Sequence, residues 1–147
     1  MSEPVAQVSK TINAPAEAVW RALTTPAKLK TFFMGSDVES DWRVGHAIRF
    51  RGEYEGKAYE DHGEIRSFEP EKRLAFSHFS PLTGAEDAPE NYNLITIDLR
   101  PEGASTEVTL TQSKLVGDPS DADLKQRERF ASTWSHVLDG LENAARA

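Results

Sequence analysis

The stretch that most restricts this chain is its last part, "GDPSDADLKQRERFASTWSHVLDGLENAARA", Gly117 to Ala147. "GDPSDAD" carries helix-start chemistry. Ser120 or Asp118 can cap the first free backbone N–H groups, and Asp121 and Asp123 favour the positive helix end. Beyond it, Leu124, Phe130, Ala131, Trp134, Val137, Leu138, Leu141 and Ala145 fall within an arc of about 140° when wound at 100° per residue. The pattern predicts one helix of roughly seven turns with a broad apolar stripe. A stripe that wide has to be covered, and no second long helix exists elsewhere in the sequence to cover it.

The rest of the chain has mostly period two. In "HAIRFRGEYEG", Ile48, Phe50, Gly52 and Tyr54 alternate with Arg49, Arg51, Glu53 and Glu55, which predicts a half-buried strand. A turn at Gly56–Lys57 leads into a strand from Ala58 to Phe68. Leu74, Phe76 and His78 define one face of a further strand; Ile95, Ile97 and Leu99, then Val108, Leu110 and Gln112, define two more. Near the N-terminus, Ala6, Val8, Lys10 and Ile12 alternate with Val5, Gln7, Ser9 and Thr11 as a first strand.

Two short helices follow that first strand. "NAPAEAVWRALT" places Ala16, Val19, Trp20 and Leu23 on one face, with Pro15 suited to the first helical position. Pro26 ends that helix and begins a second over residues 26–33, with Thr25 as its N-cap. Leu29, Phe32 and Phe33 are the apolar positions of the second helix; Phe33 is expected to face the interior and Phe32 the seam with its neighbours. Residues 80–91, "SPLTGAEDAPEN", read as a long exposed loop whose acids at 86, 87 and 90 serve solubility. Strand, two short helices, a run of strands and one long helix make an α+β chain in a single domain, 1–147, with the long helix as the sheet's cover.

Composition narrows the function. The chain has 147 residues, 24 acidic against 17 basic, and a net charge of −7. That balance argues against nucleic acid as a partner, because phosphate binding rests on Lys and Arg. There is no Cys, so thiolate catalysis and Cys-based zinc sites are excluded. No apolar run approaches a membrane span, and "MSEPVAQVSK" lacks the charged and apolar regions of a leader, so a cytoplasmic protein is expected.

Catalytic signatures are missing. His46, His62, His78 and His136 do not have metal-ligand spacing, and there is neither HExxH nor GxSxG. Glu60, Asp61 and His62 alternate faces on a strand and so cannot all converge; they read as a solvated edge. No catalytic residue, metal or cofactor is expected from the residues.

The segments "INAPAEAVWRALTTPAKLKTFF", "RVGHAIRF", "HGEIRSFEPEKRLAFSHF", "NLITIDL", "STEVTLTQ" and "TWSHVLDGLENA" occur in this order. Together they resemble the helix-grip (START/SRPBCC) superfamily, which includes START domains, polyketide cyclases and the birch-pollen allergen. Within it they are most similar to the branch named after an activator of the ninety-kilodalton heat-shock-protein ATPase. The resemblance spans Val5 to Glu142. It implies a curved antiparallel sheet of about six to seven strands, two short helices, and a long C-terminal helix lying across the sheet over an apolar cavity. The family pattern commonly has Gly at positions 46 and 133, where this chain has His46 and Thr133, and often His at 112, where it has Gln112.

The resemblance turns apolar positions that would otherwise be ordinary core into candidate cavity walls. The candidate ligand-binding residues are Phe33, Phe50, Tyr54, Phe76, His78, Ile95, Ile97, Gln112, Arg127, Phe130 and Trp134. His78 and Gln112 supply the polar anchors. Arg127 falls inside the apolar arc: its stem packs inward while its guanidinium reaches the surface, or it meets a ligand carboxylate. The implied function is binding of a small hydrophobic or amphipathic molecule, such as a lipid. The alternatives are a polyketide cyclase/dehydratase-like enzyme and a chaperone ATPase co-regulator. The named activator carries a further chaperone-binding domain for which 147 residues leave no room, so chaperone stimulation is not expected.

Overall fold

The computed structural model of the protein describes residues 4–147; the first three residues of the "MSEPVAQVSK" stretch lie outside them. Seven strands form one antiparallel sheet: β1 (Ala6–Ile12), β2 (Asp37–Ser40), β3 (Ala47–Tyr54), β4 (Lys57–Glu69), β5 (Arg73–His78), β6 (Asn93–Glu102) and β7 (Ser105–Lys114). Their order across the sheet is β1-β7-β6-β5-β4-β3-β2. Strands β2 to β7 follow as a meander, and β1 returns to pair with β7. Strand β2 is too short to show a period-two signal of its own, and the sequence reading passes over it.

Between β1 and β2 lie α1 (Ala16–Leu23) and α2 (Pro26–Phe32). Pro15 is the N-cap of α1 rather than its first helical residue, while Pro26 opens α2 behind Thr25 as expected. Thr25 does not cap through its side chain; its hydroxyl donates to the Arg21 carbonyl at 2.6 Å and so ties the two helices together. The turn between β3 and β4 falls on Glu55 and Gly56, one residue earlier than the sequence suggested. Both have positive φ (50° and 82°), as a two-residue type I′ hairpin requires.

One face of the sheet carries the core. Ile48 and Phe50 on β3, Ile65 on β4, Leu74 and Phe76 on β5, Ile95, Ile97 and Leu99 on β6, and Val108 and Leu110 on β7 are all buried. A register shift between Ile65 and Ser67 breaks the alternation of β4. An extra residue reverses which face later residues occupy, so Phe68 also turns inward, with its ring 5.2 Å from Trp20.

The C-terminal helix is not continuous. Ser120 caps a short α3 (Asp121–Lys125) through a reciprocal capping box with Asp123. Gln126, at φ −99° and ψ 7°, then leaves helical geometry before α4 (Arg127–Arg146) begins. Helix α4 buries Trp134, Val137, Leu138, Leu141 and Ala144, and packs on β1, α1 and α2. Gly140 permits the contact with α2: a Cβ there would lie 2.4 Å from Cβ of Phe32. Lys10 on β1 pairs with Asp139 at 2.7 Å, and Glu142 accepts from the Asn13 backbone at 2.9 Å.

Candidate functional site

The end of α2 divides the space over the sheet's inner face into two compartments, one under α1 and α2 and one under α4. Phe32 faces α4 at Gly140, whereas Phe33, just past the helix, enters the sheet–helix interior. Its ring stacks on Phe50 at 5.5 Å and meets Trp134 at 5.9 Å and Phe76 at 6.3 Å. On one side of this aromatic wall, Leu23, Leu29, Val38, Trp42, Ile48, Leu74 and Ile97 leave an interstice of only 10 Å³. On the other side a cavity of 520 Å³ opens to solvent. That volume lies in the range of small-molecule sites, roughly 300–1,000 Å³.

The open cavity is built from three directions. Phe76 and His78 on β5, Asn93 and Ile95 on β6, and Gln112 on β7 form its floor; Phe130 and Trp134 on α4 form its roof. Thr83, Ala85 and Asn91 bring the β5–β6 loop to the rim, and Asp123, Gln126 and Arg129 bring the α3–α4 junction. The break at Gln126 therefore falls at the mouth.

Two polar side chains inside the cavity are held by specific partners. The indole N–H of Trp134 donates to Gln112 Oε1 at 2.7 Å, and Gln112 is 5% exposed. Because an indole N–H only donates, the amide orientation is fixed and the NH₂ is the group left for the cavity. His78 Nε2 lies 3.1 Å from Asp61 Oδ2. Asp61 is on the inward face of β4, opposite Phe50 in register. Reading Glu60–Asp61–His62 as a solvated edge therefore fails for Asp61. The alternation of faces holds, but it sends the middle residue inside, where pairing with β5 brings His78 to it. Asp61 Oδ1 is buried with no hydrogen-bond partner.

Of the residues proposed from sequence, Phe33, Phe76, His78, Ile95, Gln112, Phe130 and Trp134 come together around this cavity. Phe50 and Ile97 border the filled compartment. Tyr54, at the end of β3, is 60% exposed and lies apart from both. Arg127 packs inward at the start of α4, but its guanidinium donates to the backbone carbonyls of Val5 (3.0 Å) and Pro4 (2.9 Å), clamping the N-terminal strand to the helix. Sequence reasoning missed Asp61, which faces inward behind His78, and the polar lining residues Asn93 on the floor and Asn91, Asp123, Gln126 and Arg129 at the rim. The signal for Asp61 was its period-two spacing with Gly63 and Ile65 on one strand face.

The outer face of the sheet has its own cluster. His62 Nε2 lies 3.0 Å from both Asp87 Oδ2 and the Tyr92 hydroxyl, and Tyr92 donates to Asp87 Oδ1 at 2.6 Å. Asp87 is thus more than a solubilising acid of the loop: it ties the loop to β4. The Tyr92 hydrogen bond holds the Asp87 carboxyl below its ordinary range. Burial, reinforced by Asp87, pushes the Tyr92 phenol up to about 12. A groove of 560 Å³ runs beside this cluster, lined by Arg49, Glu60, Glu64 and Arg66 among others. It is open and charged, with Arg49 and Glu60 paired at 3.4 Å, and has no aromatic wall like that of Phe33, Phe76, Phe130 and Trp134 in the inner cavity. Among the described residues no three His, Asp or Glu side chains gather as a metal site. No helix there is long and apolar enough to cross a membrane.

Comparison with known proteins agrees with this geometry. The family model described as "Activator of Hsp90 ATPase homolog 1-like protein" matches residues 13–146. The solution structure of ChR145 from Cytophaga hutchinsonii is 43% identical, with 93% of this chain and 90% of that one covered and a TM-score of 0.76. The Aha1 dimer from Colwellia psychrerythraea is 22% identical over 95% and 94% of the two chains, TM-score 0.69. CalU16 from Micromonospora echinospora is 22% identical over 95% and 74%, TM-score 0.69. The last two likenesses establish the helix-grip fold alone. No curated protein matches the chain significantly.

Proposed function

Because the chain belongs to the family of Activator of Hsp90 ATPase homolog 1-like proteins, whose fold grips a long helix against a curved sheet, we propose that it binds a small apolar or amphipathic molecule between them. The observation that carries the proposal is the 520 Å³ space beside Phe33, next to a compartment of the same fold that is packed solid. An apolar enclosure with a few convergent polar groups is the usual form of a small-molecule site. Phe33, Phe76, Ile95, Phe130 and Trp134 would cover the ligand's apolar body, and His78 and Gln112 would orient its polar end.

Anilinonaphthalene sulfonate, an amphipathic fluorescent probe, tests this directly. Its titration should quench tryptophan fluorescence saturably, because Trp134 is in the roof. Native mass spectrometry of freshly purified protein should show a co-purified small molecule. Replacing Phe130 by Asp removes an apolar contact worth about 1.5–3 kcal/mol, so probe affinity should fall roughly 10- to 100-fold. Unsaturable quenching in the wild type, with no co-purified mass, would refute the binding reading.

The family description favours a second reading, stimulation of an Hsp90 ATPase. Adding the purified chain to Hsp90 and measuring ATP turnover separates the two: a ligand binder leaves the rate unchanged.

A further inference from the structure

Asp61 and His78 form a pair that ordinary core packing does not require. Both sit on the inward face of the sheet, 24% (His78) and 14% (Asp61) of each side chain exposed, with Nε2 and Oδ2 3.1 Å apart. The Phe50 ring lies edge-on to the imidazole at 5.4 Å and restricts its rotation. A carboxylate only accepts, so the proton of the neutral imidazole resides on Nε2 and the lone pair on Nδ1. Nδ1 makes no hydrogen bond among the described residues, and His78 lines the open cavity. Directly across the β5–β6 ladder stands Asn93, which also lines it. Opposed residues on one sheet face have Cβ atoms about 4.5–5.5 Å apart, so an amide donor adjoins an oriented base. Asp61 Oδ1 meanwhile is buried without a partner.

We infer that Asp61 and His78 are a proton-transfer pair, acting on an apolar carbonyl compound that carries an acidic C–H beside the carbonyl. The inference rests on the binding reading above. His78 Nδ1 takes the proton from carbon. The C–H electron pair becomes the C=C bond, and the carbonyl π pair moves onto oxygen, where the Asn93 amide donates to it. The proton then returns from Nδ1 to the same carbon, giving exchange, or to a conjugated one, giving an isomer. Asp61 accepts from Nε2–H and takes no proton from the substrate, which makes it a positioning residue. No oxidant, reductant or second substrate is consumed. His78 is the catalytic residue of the pair, since it alone meets the reacting carbon. Placing such a base beside its substrate contributes on the order of 10²–10⁴ in rate.

The probe is 5-nitrobenzisoxazole, a flat apolar molecule that opens when a base removes its single C3 proton. The C–H pair becomes part of a nitrile, the N–O bond breaks, and a coloured phenolate leaves. The wild type should turn it over faster than free imidazole at equal concentration, with a primary isotope effect when C3 carries deuterium. His78→Gln keeps a hydrogen bond to Asp61 but offers no base, so kcat should fall by about 10²-fold or more. His78→Ala should lose the same activity and regain part of it when imidazole is added, which a purely structural histidine would not show. Asp61→Asn should lower kcat while leaving KM near its wild-type value. Displacement of anilinonaphthalene sulfonate reads probe affinity in all four proteins; because His78 also borders the ligand, its variants should bind the probe somewhat more weakly, and the loss of turnover is therefore scored on kcat at saturating probe. Wild-type turnover in His78→Gln overturns the inference, as does a bound probe that the wild type does not turn over. A wild type that fails to bind the probe overturns the binding reading first, and this inference with it.

Discussion

Trp134 and Gln112 join roof to floor through one hydrogen bond of 2.7 Å, from an indole 7% exposed to an amide 5% exposed. Such a pair makes an asymmetric prediction. Trp134→Phe alone removes the donor and leaves a buried amide oxygen unpaired, which costs about 1–3 kcal/mol on top of lost packing. Gln112→Leu removes the amide as well, so the double variant Trp134→Phe, Gln112→Leu should be more stable than the sum of the single losses implies. Urea unfolding of all four proteins measures the coupling, and strict additivity would refute a direct bond. This residue scale was partly legible in the sequence. Gln112 shares a strand face with Val108 and Leu110, and the second helix ends in two Phe of which one had to turn inward. The Asp61–His78 pair was not legible. Alternation shows that Asp61 opposes its neighbours Glu60 and His62, but only the β4–β5 pairing says which side is inside and who waits there.

At the scale of elements, the segment between β5 and β6 does two things at once. Its tip, at Thr83 and Ala85, rims the inner cavity, while Asp87 and Tyr92 hold its other end against His62 on the outer face of β4. The hold should be sensitive to pH in a definite direction. The folded protein keeps the Asp87 carboxyl below its ordinary value, chiefly through the Tyr92 hydroxyl and then through His62. A depressed carboxyl contributes stability above its unfolded value and loses it as pH falls through the folded one. The protection factors of the 80–91 amides, which remove the intrinsic pH dependence of exchange, should therefore fall at acid pH, and Asp87→Asn should abolish that fall. Tyr92 has the opposite sense. Its phenol is raised to about 12 from 10, first by burial and second by Asp87. The contribution is complete below the unfolded value of 10 and is lost as pH rises toward 12. Because burial is the larger cause, Asp87→Asn should lower the Tyr92 titration without returning it to 10. A return all the way would show that Asp87, and not desolvation, dominates. A stretch rich in Pro, Gly and acids announces a loop, but nothing in its composition reveals an anchor on a strand some twenty-five residues earlier. The break at Gln126 was equally hidden, since its flanks both fit the periodic stripe.

For the whole molecule, the sheet-and-helix cover followed from periodicity, although β2 and the break at Gln126 did not: a 140° helical stripe and five alternating strands leave few ways to bury both. What periodicity cannot give is volume, because a Phe lining a void and a Phe filling it have the same spacing. Phe50 and Phe130 are the comparison that tests the consequence. Phe50 is 3% exposed, stacked on Phe33 and tilted against Phe76, bordering the filled compartment. Its truncation to Ala should leave a hole with no room to collapse, costing about 3–5 kcal/mol. That is a large share of a domain's total stability of roughly 5–15 kcal/mol. Phe130 is only half-buried and borders a space that is already open. Its truncation widens an existing cavity, so little neighbouring packing is lost and the cost should stay below about 2 kcal/mol. The two variants should therefore separate in opposite ways. Phe50→Ala should shift the urea midpoint strongly while whatever folds still binds the probe. Phe130→Ala should keep the midpoint nearly in place and weaken the probe. Equal midpoint shifts would mean that the space beside Phe33 is as tightly packed in solution as its neighbour, and the division of this fold into a solid end and a receptive end would fall.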